Sequence, residues 1–271
     1  MTFRTRLKQI LVPTELDKKL DTNEKPIGEM GYDPWGFNLE TFKIAAALFK
    51  PFYERYFRTE AKGVENVPAS GPVLIIANHS GQLPIDGLLI GYALATREDK
   101  PRTARAMIER FFPTVPWLGN LLNQCGAVLG DPVNCSKMLQ RDEAIIVFPE
   151  GIRGSGKLYK DRYQLKRFGH GFMHLAIQHK APIVPVGVVG CEETIPAIGN
   201  IKPLARMLGV PYVPVALPAV LPAKVILNFG EPMYFEGEDL TEAQVAEYVA
   251  QVKAEISRLI DKGLAERDGV F

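Results

Sequence analysis

Five short runs rich in β-branched and other apolar residues, at 73–77, 127–129, 144–148, 183–189 and 225–229, alternate with stretches whose apolar residues recur at helical spacing. The helical stretches fall at 85–97, 103–111, 134–142 and 171–179. Strands separated by helix-length segments pair side by side, with the connecting helices covering the faces of the sheet. The pattern predicts an α/β fold: one domain with a central mixed, mostly parallel sheet flanked by helices, plus an N-terminal helical appendage. The tail, 241–267, opens on Thr241 and Gln244 at capping-box spacing and carries Val245, Tyr248, Val252, Ile256, Leu259 and Ile260 as a packing stripe.

Residues 1–37 are polar, show no helix period and read as an arm. Over 38–58 the positions Ile44, Ala45, Leu48, Phe49, Phe52, Tyr53, Tyr56 and Phe57 make an aromatic face, with Lys43, Lys50, Glu54 and Arg58 opposite. Pro51 should kink or split this helix. Its aromatic face suits two roles, covering the core or lying on a membrane surface. We therefore divide the chain into 1–58, an arm and amphipathic helix, and 59–271, the main domain.

The function classes narrow by exclusion. A net charge of +1 lacks the positive field of a dedicated nucleic-acid binder. Cys125, Cys135 and Cys191 have neither the number nor the spacing of a disulfide framework or a zinc site. The opening twenty residues lack the apolar core of an export signal, and the uncharged runs 111–130 and 207–223 are broken by prolines.

Two polar segments follow directly on expected strands, which places both at the carboxyl edge of the sheet, the usual ligand crevice of such folds. The first runs from Asn78, His79 and Ser80 to Asp86. A neutral imidazole can take a proton from an attacking hydroxyl, and a carboxylate on its other nitrogen fixes the tautomer. Asp86 can be that carboxylate, or an acid favoured by the first turn of a helix whatever the chemistry. The second segment is Phe148, Pro149, Glu150, Gly151, Ile152 and Arg153. Arg153 can bind a carboxylate or phosphate through two bonds, or pair with Glu150 on the surface. Lys160, Arg162, Lys166 and Arg167 add a basic cluster downstream, either a solvated loop or a landing site for an anion.

Two further patterns compete for these segments. Gly151, Gly156 and Lys157 have the spacing of a phosphate-cradling loop, but Leu158 stands where a magnesium-binding hydroxyl belongs. His170, His174 and His179 lie close together, yet Gly171 replaces the glutamate a zinc-protease helix needs, so no metal is expected.

In order along the chain, the residues Gly63, Val64, Glu65, Asn66, Val67, Pro68; Gly71, Pro72; Asn78, His79; Pro116, Trp117, Leu118, Gly119; Phe148 to Gly151 with Arg153; Lys166, Gly169; Ile183 to Val186; and Phe229 to Pro232 resemble the glycerolipid acyltransferases of the lysophosphatidic acid acyltransferase (PlsC-like) superfamily. The resemblance implies that 59–271 is an acyltransferase domain moving a fatty acyl group from acyl-CoA or acyl carrier protein to a lipid or glycerol hydroxyl. It implies that His79 is the general base, oriented by Asp86. It places Asn78, Ser80, Glu150, Gly151, Arg153 and Lys166 in substrate binding, with no cofactor beyond the acyl thioester co-substrate. The partners it implies are the thioester donor, the lipid acceptor and a membrane surface, with a peripheral position on the cytoplasmic inner face. Two departures stand out: six residues separate His79 from Asp86 where the family has four, and Asp131 stands where its second motif places a phosphate-binding arginine. Both bring the chain closer to the branch resembling monoacylglycerol and diacylglycerol acyltransferases. Two alternatives remain beside this reading, a nucleotide-dependent enzyme using Gly151 to Lys157 and a catalytically silent lipid-binding protein of the same fold.

Overall fold

The computed structural model describes residues 3–21, 28, 30–80, 83–110, 112, 115, 117–208 and 212–271. Three helices, α1 (Phe3–Leu11), α2 (Thr14–Asp21) and α3 (Leu39–Pro51), precede the first strand, β1 (Glu60–Lys62). Then follow β2 (Val73–Ala77), α4 (Ile85–Thr96), β3 (Ala104–Ile108), α5 (Leu118–Gln124), β4 (Ala127–Leu129), α6 (Pro132–Leu139), β5 (Ala144–Val147), α7 (Ile152–Ser155), α8 (Gly171–Gln178) and β6 (Ile183–Val189). The chain closes with α9 (Cys191–Thr194), β7 (Gly199–Asn200), α10 (Lys202–Leu208), β8 (Pro214–Val215), β9 (Ile226–Phe229) and α11 (Glu242–Glu266).

Seven strands form one sheet in the order β1-β9-β6-β2-β5-β3-β4, parallel at every pairing except β6 with β9. β2, at its centre, is buried along its whole length and pairs with both β5 and β6. A strand buried on both faces reads as a continuous apolar run, which is what 73–77 supplies. α4 lies on one face against Val73, Ile75 and Ala77, and α6, α8 and α11 cover the other, around Leu74 and Ile76. The expected capping box opens α11, with the Gln244 amide donating to Thr241 Oγ1 at 3.3 Å and the Thr241 amide donating to Gln244 Oε1 at 2.9 Å.

The structure corrects three expectations. Residues 103–111 were expected to be helical, but β3 runs through them, joining β5 to β4. The sequence disguises this strand because Arg105, in its middle, is fully buried and bonded to Glu143 at 3.1 and 3.3 Å and to Asp33. Residues 1–37 carry two helices rather than an unstructured arm. Val12, in the turn between them, and Leu16 and Leu20 of α2, four apart, pack against Ile44, Tyr92 and Ala95. Lys43, expected on the polar face of its helix, is buried and holds Asp17 at 2.6 Å as well as Asp21.

Pro51 splits the aromatic helix as expected: α3 ends there and one wide π-type turn, Phe52–Tyr56, continues it. Most of the aromatic face turns inward. Phe49 and Tyr53 pack against Tyr92 of α4 with ring centres 5.8 and 4.6 Å apart, and Phe57 is buried. Phe49, Tyr53 and Phe57 cover the core, whereas Phe52 of the same face stays exposed.

Candidate active site

The carboxyl ends of β2 and β5 lie side by side at the middle of the sheet, so the segments following them meet. His79 is two residues beyond β2, and Asp86 sits in the first turn of α4. His79 Nδ1 donates to Asp86 Oδ2 at 2.7 Å. The same oxygen accepts from the Ser80 amide at 2.9 Å, and Oδ1 accepts from the Gly87 amide at 2.7 Å. Asp86 is fully buried, and a carboxylate that keeps its charge there needs such donors. The six-residue separation therefore still closes the pair. Gly81 and Gln82 within it, like Pro116 of the family-like set, lie outside the described residues.

With Nδ1 engaged, Nε2 is the nitrogen left to accept a proton. Burial alone pulls the imidazole's pKa down, but the Asp86 carboxylate, with Glu150 behind it, outweighs burial and leaves His79 above its ordinary value; Lys157 opposes them. The ring stacks on Phe148, centres 4.5 Å apart, which fixes its plane.

Glu150 works from beneath. It is buried; Oε1 accepts the His79 amide at 3.0 Å and Oε2 accepts the Lys166 amide at 2.7 Å. Gly151 bends the chain over it with φ +55°, a conformation that favours glycine. At Gly154 a Cβ would come within 2.7 Å of both the His79 and Glu150 Cβ atoms, so the close approach of α7 to the dyad requires glycine there.

The sequence-predicted residues thus divide. His79 lines a cavity and Arg153 is exposed on α7 beside cavity-lining Ile152. Asn78 is spent on the sheet, its side-chain amide giving and taking bonds with Val188 at 3.0 and 2.7 Å. Ser80 and Lys166 enter through backbone amides. Lys157, the cation of the phosphate-loop alternative, is 2% exposed and pairs with Glu192 at 2.7 Å and Glu150 at 3.6 Å, so the structure turns its charge inward, away from a phosphate.

The cavity beside His79 encloses about 430 Å³. Its apolar lining comes from Ile195, Pro214, Leu217, Pro218, Ala219 and Val220 together with Leu83, Pro84, Phe112 and Ile152. Residues 195–222, apolar and rich in proline, thus supply half of the cavity lining. Glu109, Ser155 and Tyr212 supply its other polar groups. None of the three was singled out from the sequence, because they lie far apart along the chain and only the fold brings them to one cavity. Burial pushes the Tyr212 phenol up, with Asp86 and Glu109 adding to the effect. The thiols are poor nucleophiles: burial raises Cys125 and Cys135 to about 11 and Cys191 further.

The Acyltransferase family model matches residues 58–189, which contain His79, Asp86 and Glu150. An uncharacterised protein of Mycobacterium leprae (strain TN) is 35% identical over 264 residues, 92% of this chain and 71% of that protein. The human protein named DGAT1/2-independent enzyme synthesizing storage lipids is 28% identical over 226 residues, 81% of this chain and 66% of that one. The crystal structure of the 1-acyl-sn-glycerophosphate (LPA) acyltransferase PlsC from Thermotoga maritima has a TM-score of 0.57 at 18% identity, over 84% of this chain and 83% of that one, and so shows the same fold. A His-Asp pair at the central strand's carboxyl edge, inside the region that the family model matches, leads to one assignment: the chain belongs to the Acyltransferase family.

Proposed function

We infer that the protein transfers a fatty acyl group from an acyl thioester, acyl-CoA or acyl carrier protein, to the hydroxyl of a lipid. The observation that carries this reading is the His79–Asp86 bond of 2.7 Å at the edge of an apolar cavity of about 430 Å³. His79 Nε2 takes the proton of the acceptor hydroxyl as its oxygen attacks the thioester carbonyl. The tetrahedral intermediate then collapses, the carbon–sulfur bond breaks, and the imidazolium returns its proton to the departing thiolate. Asp86 holds the tautomer and stabilises the imidazolium between the two transfers. Glu150 positions His79 through its backbone, and the apolar wall of 195–222 takes the acyl chain. Transfer is direct, with no acyl-enzyme.

Asp86→Asn separates this role from a helix-start role. Asparagine can accept the Ser80 amide bond but carries no charge for the imidazolium, so turnover should fall by about a hundredfold or more while the melting temperature changes little. The base acts as neutral imidazole, so kcat/KM of the native protein should rise with pH through a His79 pKa above 6.5. Removing the Asp86 charge should move that rise to lower pH. A fully active Asp86→Asn protein with an unmoved profile would reduce Asp86 to a structural group.

For the acceptor we infer a neutral or weakly charged lipid hydroxyl. A phosphate dianion in a partly dry site needs fixed cations. Asp131, where the family places an arginine, instead starts α6, accepting the Asn134 amide at 2.9 Å. Competing monoacylglycerol or diacylglycerol against lysophosphatidic acid in one reaction should give mainly the neutral product. Preference for the phosphate-bearing acceptor, abolished by Arg153→Ala, would reverse this inference.

A further inference from the structure

The stretch 195–222 has a second side. Between α9 and β9 the chain leaves the sheet as a two-stranded hairpin, β7 paired with β8, with α10 in its loop. The hairpin is tied by Ile198 and Ile201, whose amides donate to Val215 and Val213 carbonyls at 2.9 Å each. It is anchored to the body through the Tyr159 amide on the Ala197 carbonyl and the Leu221 amide on the Thr194 carbonyl, both at 2.7 Å. Tyr212 and Pro214 line the cavity, and Leu217, just past β8, lines it at the rim. The outer residues do not pack: Ile198 is 77% exposed, Met207 75% and Leu217 60%, with Ile201 and Val215 also exposed. Scattered exposed apolar residues are ordinary, but several large ones on one small hairpin are not.

Charge indicates what covers them. Residues 195–222 contain no Asp or Glu, only Lys202 and Arg206, and Arg206 is exposed on α10 beside Met207. An apolar surface with an exposed cation and no acid along 195–222 matches the boundary of a bilayer, where apolar side chains enter the acyl region and cations meet anionic headgroups. Position agrees, because the same hairpin forms the cavity wall, so a substrate chain could pass from bilayer to cavity without crossing water. Leu83 and Ile152, which also line the cavity, are exposed as well. The helix α3 and the turn after it offer less: Phe49, Tyr53 and Phe57 pack inward, and the exposed Leu48 and Phe52 alternate in sequence with Lys50 and Glu54, an ion pair at 3.2 Å.

We propose that the β7–α10–β8 hairpin is the membrane-docking element, inserting Ile198, Met207 and the adjoining Leu217 into an anionic bilayer and opening the cavity onto its acyl region. The placement of the cavity mouth rests on the acyl-transfer reading; the docking itself does not. The test is co-sedimentation of the full chain with phosphatidylcholine vesicles containing phosphatidylglycerol. An Ile198→Glu, Met207→Glu double variant, both positions exposed and outside the cavity lining, should lower the vesicle-bound fraction by about tenfold or more. Activity toward a water-soluble short-chain thioester and glycerol should remain. A Leu48→Glu, Phe52→Glu variant should bind as the native chain does. In parallel, the Ile198→Trp protein should show a larger blue shift of emission on adding vesicles than the native chain, whose Trp35 and Trp117 set the background, a readout independent of any folding defect in the double variant. Undiminished sedimentation of the Ile198→Glu, Met207→Glu variant, loss of binding in the Leu48→Glu, Phe52→Glu variant instead, or an emission shift of the Ile198→Trp protein no larger than the native chain's would each overturn the proposal. Absence of soluble-substrate turnover in the native chain would count against the acyl-transfer reading, while the sedimentation result would still decide docking.

Discussion

Replacing His79 with alanine is expected to lower acyl transfer by at least about a hundredfold, the low end of what a lost general base costs. The fold should tolerate the change. The His79 side chain touches Phe148 and Asp86, while the bond that ties this turn to Glu150 is made by its backbone amide and survives truncation. The Asp86 carboxylate keeps its bonds from the Ser80 and Gly87 amides. Turnover by a normally melting His79→Ala protein within a few-fold of native would remove the proposed base. The native imidazole also links activity to stability with opposite signs. Its raised pKa stabilises the folded chain below about 6.5, its unfolded value, and that contribution is lost as pH rises through the folded value. Transfer should increase over the same range.

The largest effect on stability is expected at Lys157. Its ammonium is buried between Glu192, at 2.7 Å, and Glu150, at 3.6 Å. Removing one partner of a buried ion pair leaves the other charge without compensation, a loss of about 3–5 kcal/mol. Lys157→Met keeps much of the packing volume and removes the charge, so it isolates this loss. Burial already raises the Glu192 carboxyl above its ordinary value against the pull of Lys157, and without the lysine it should rise further. Denaturant unfolding of Lys157→Met should show a much lower midpoint at neutral pH, partly restored by adding Glu192→Gln. A midpoint equal to native would mean that Lys157 does not balance these acids. The same variant bears on function, because Glu150 carries the His79 amide.

The strands buried on both faces were legible because nothing polar interrupts them: β2 and β6 have no exposed position. β3 was not legible, since Arg105 in its centre finds Asp33 and Glu143 only in three dimensions. The N-terminal helices were hidden for a related reason. The buried stripe of α2 is one residue wide, and the lysine that fastens them, Lys43, reads as a surface charge until Asp17 and Asp21 are brought to it. At the site, His79 and Asp86 were both named from sequence. Their separation departs from the family spacing, but α4 begins after Pro84 and turns Asp86 back onto the imidazole. Glu150 was placed in substrate binding, whereas its carboxylate bonds the His79 and Lys166 amides. Whether a side chain faces a ligand or its own backbone depends on the path of the next loop, and no local pattern encodes that path. Gly154 shows the same limit: it stands in a glycine-rich run, and only the approach of His79 and Glu150 distinguishes it from its neighbours.

The central claim is acyl transfer to a lipid hydroxyl, and product analysis tests it most directly. Purified protein would be incubated with acyl-CoA and a panel of lipid alcohols on vesicles, and both free thiol and ester product would be measured. One new ester per thiol released is expected, on a neutral lipid hydroxyl, with neither formed by folded His79→Ala protein. Thiol release without ester, or ester formation undiminished in the His79→Ala protein, would contradict it.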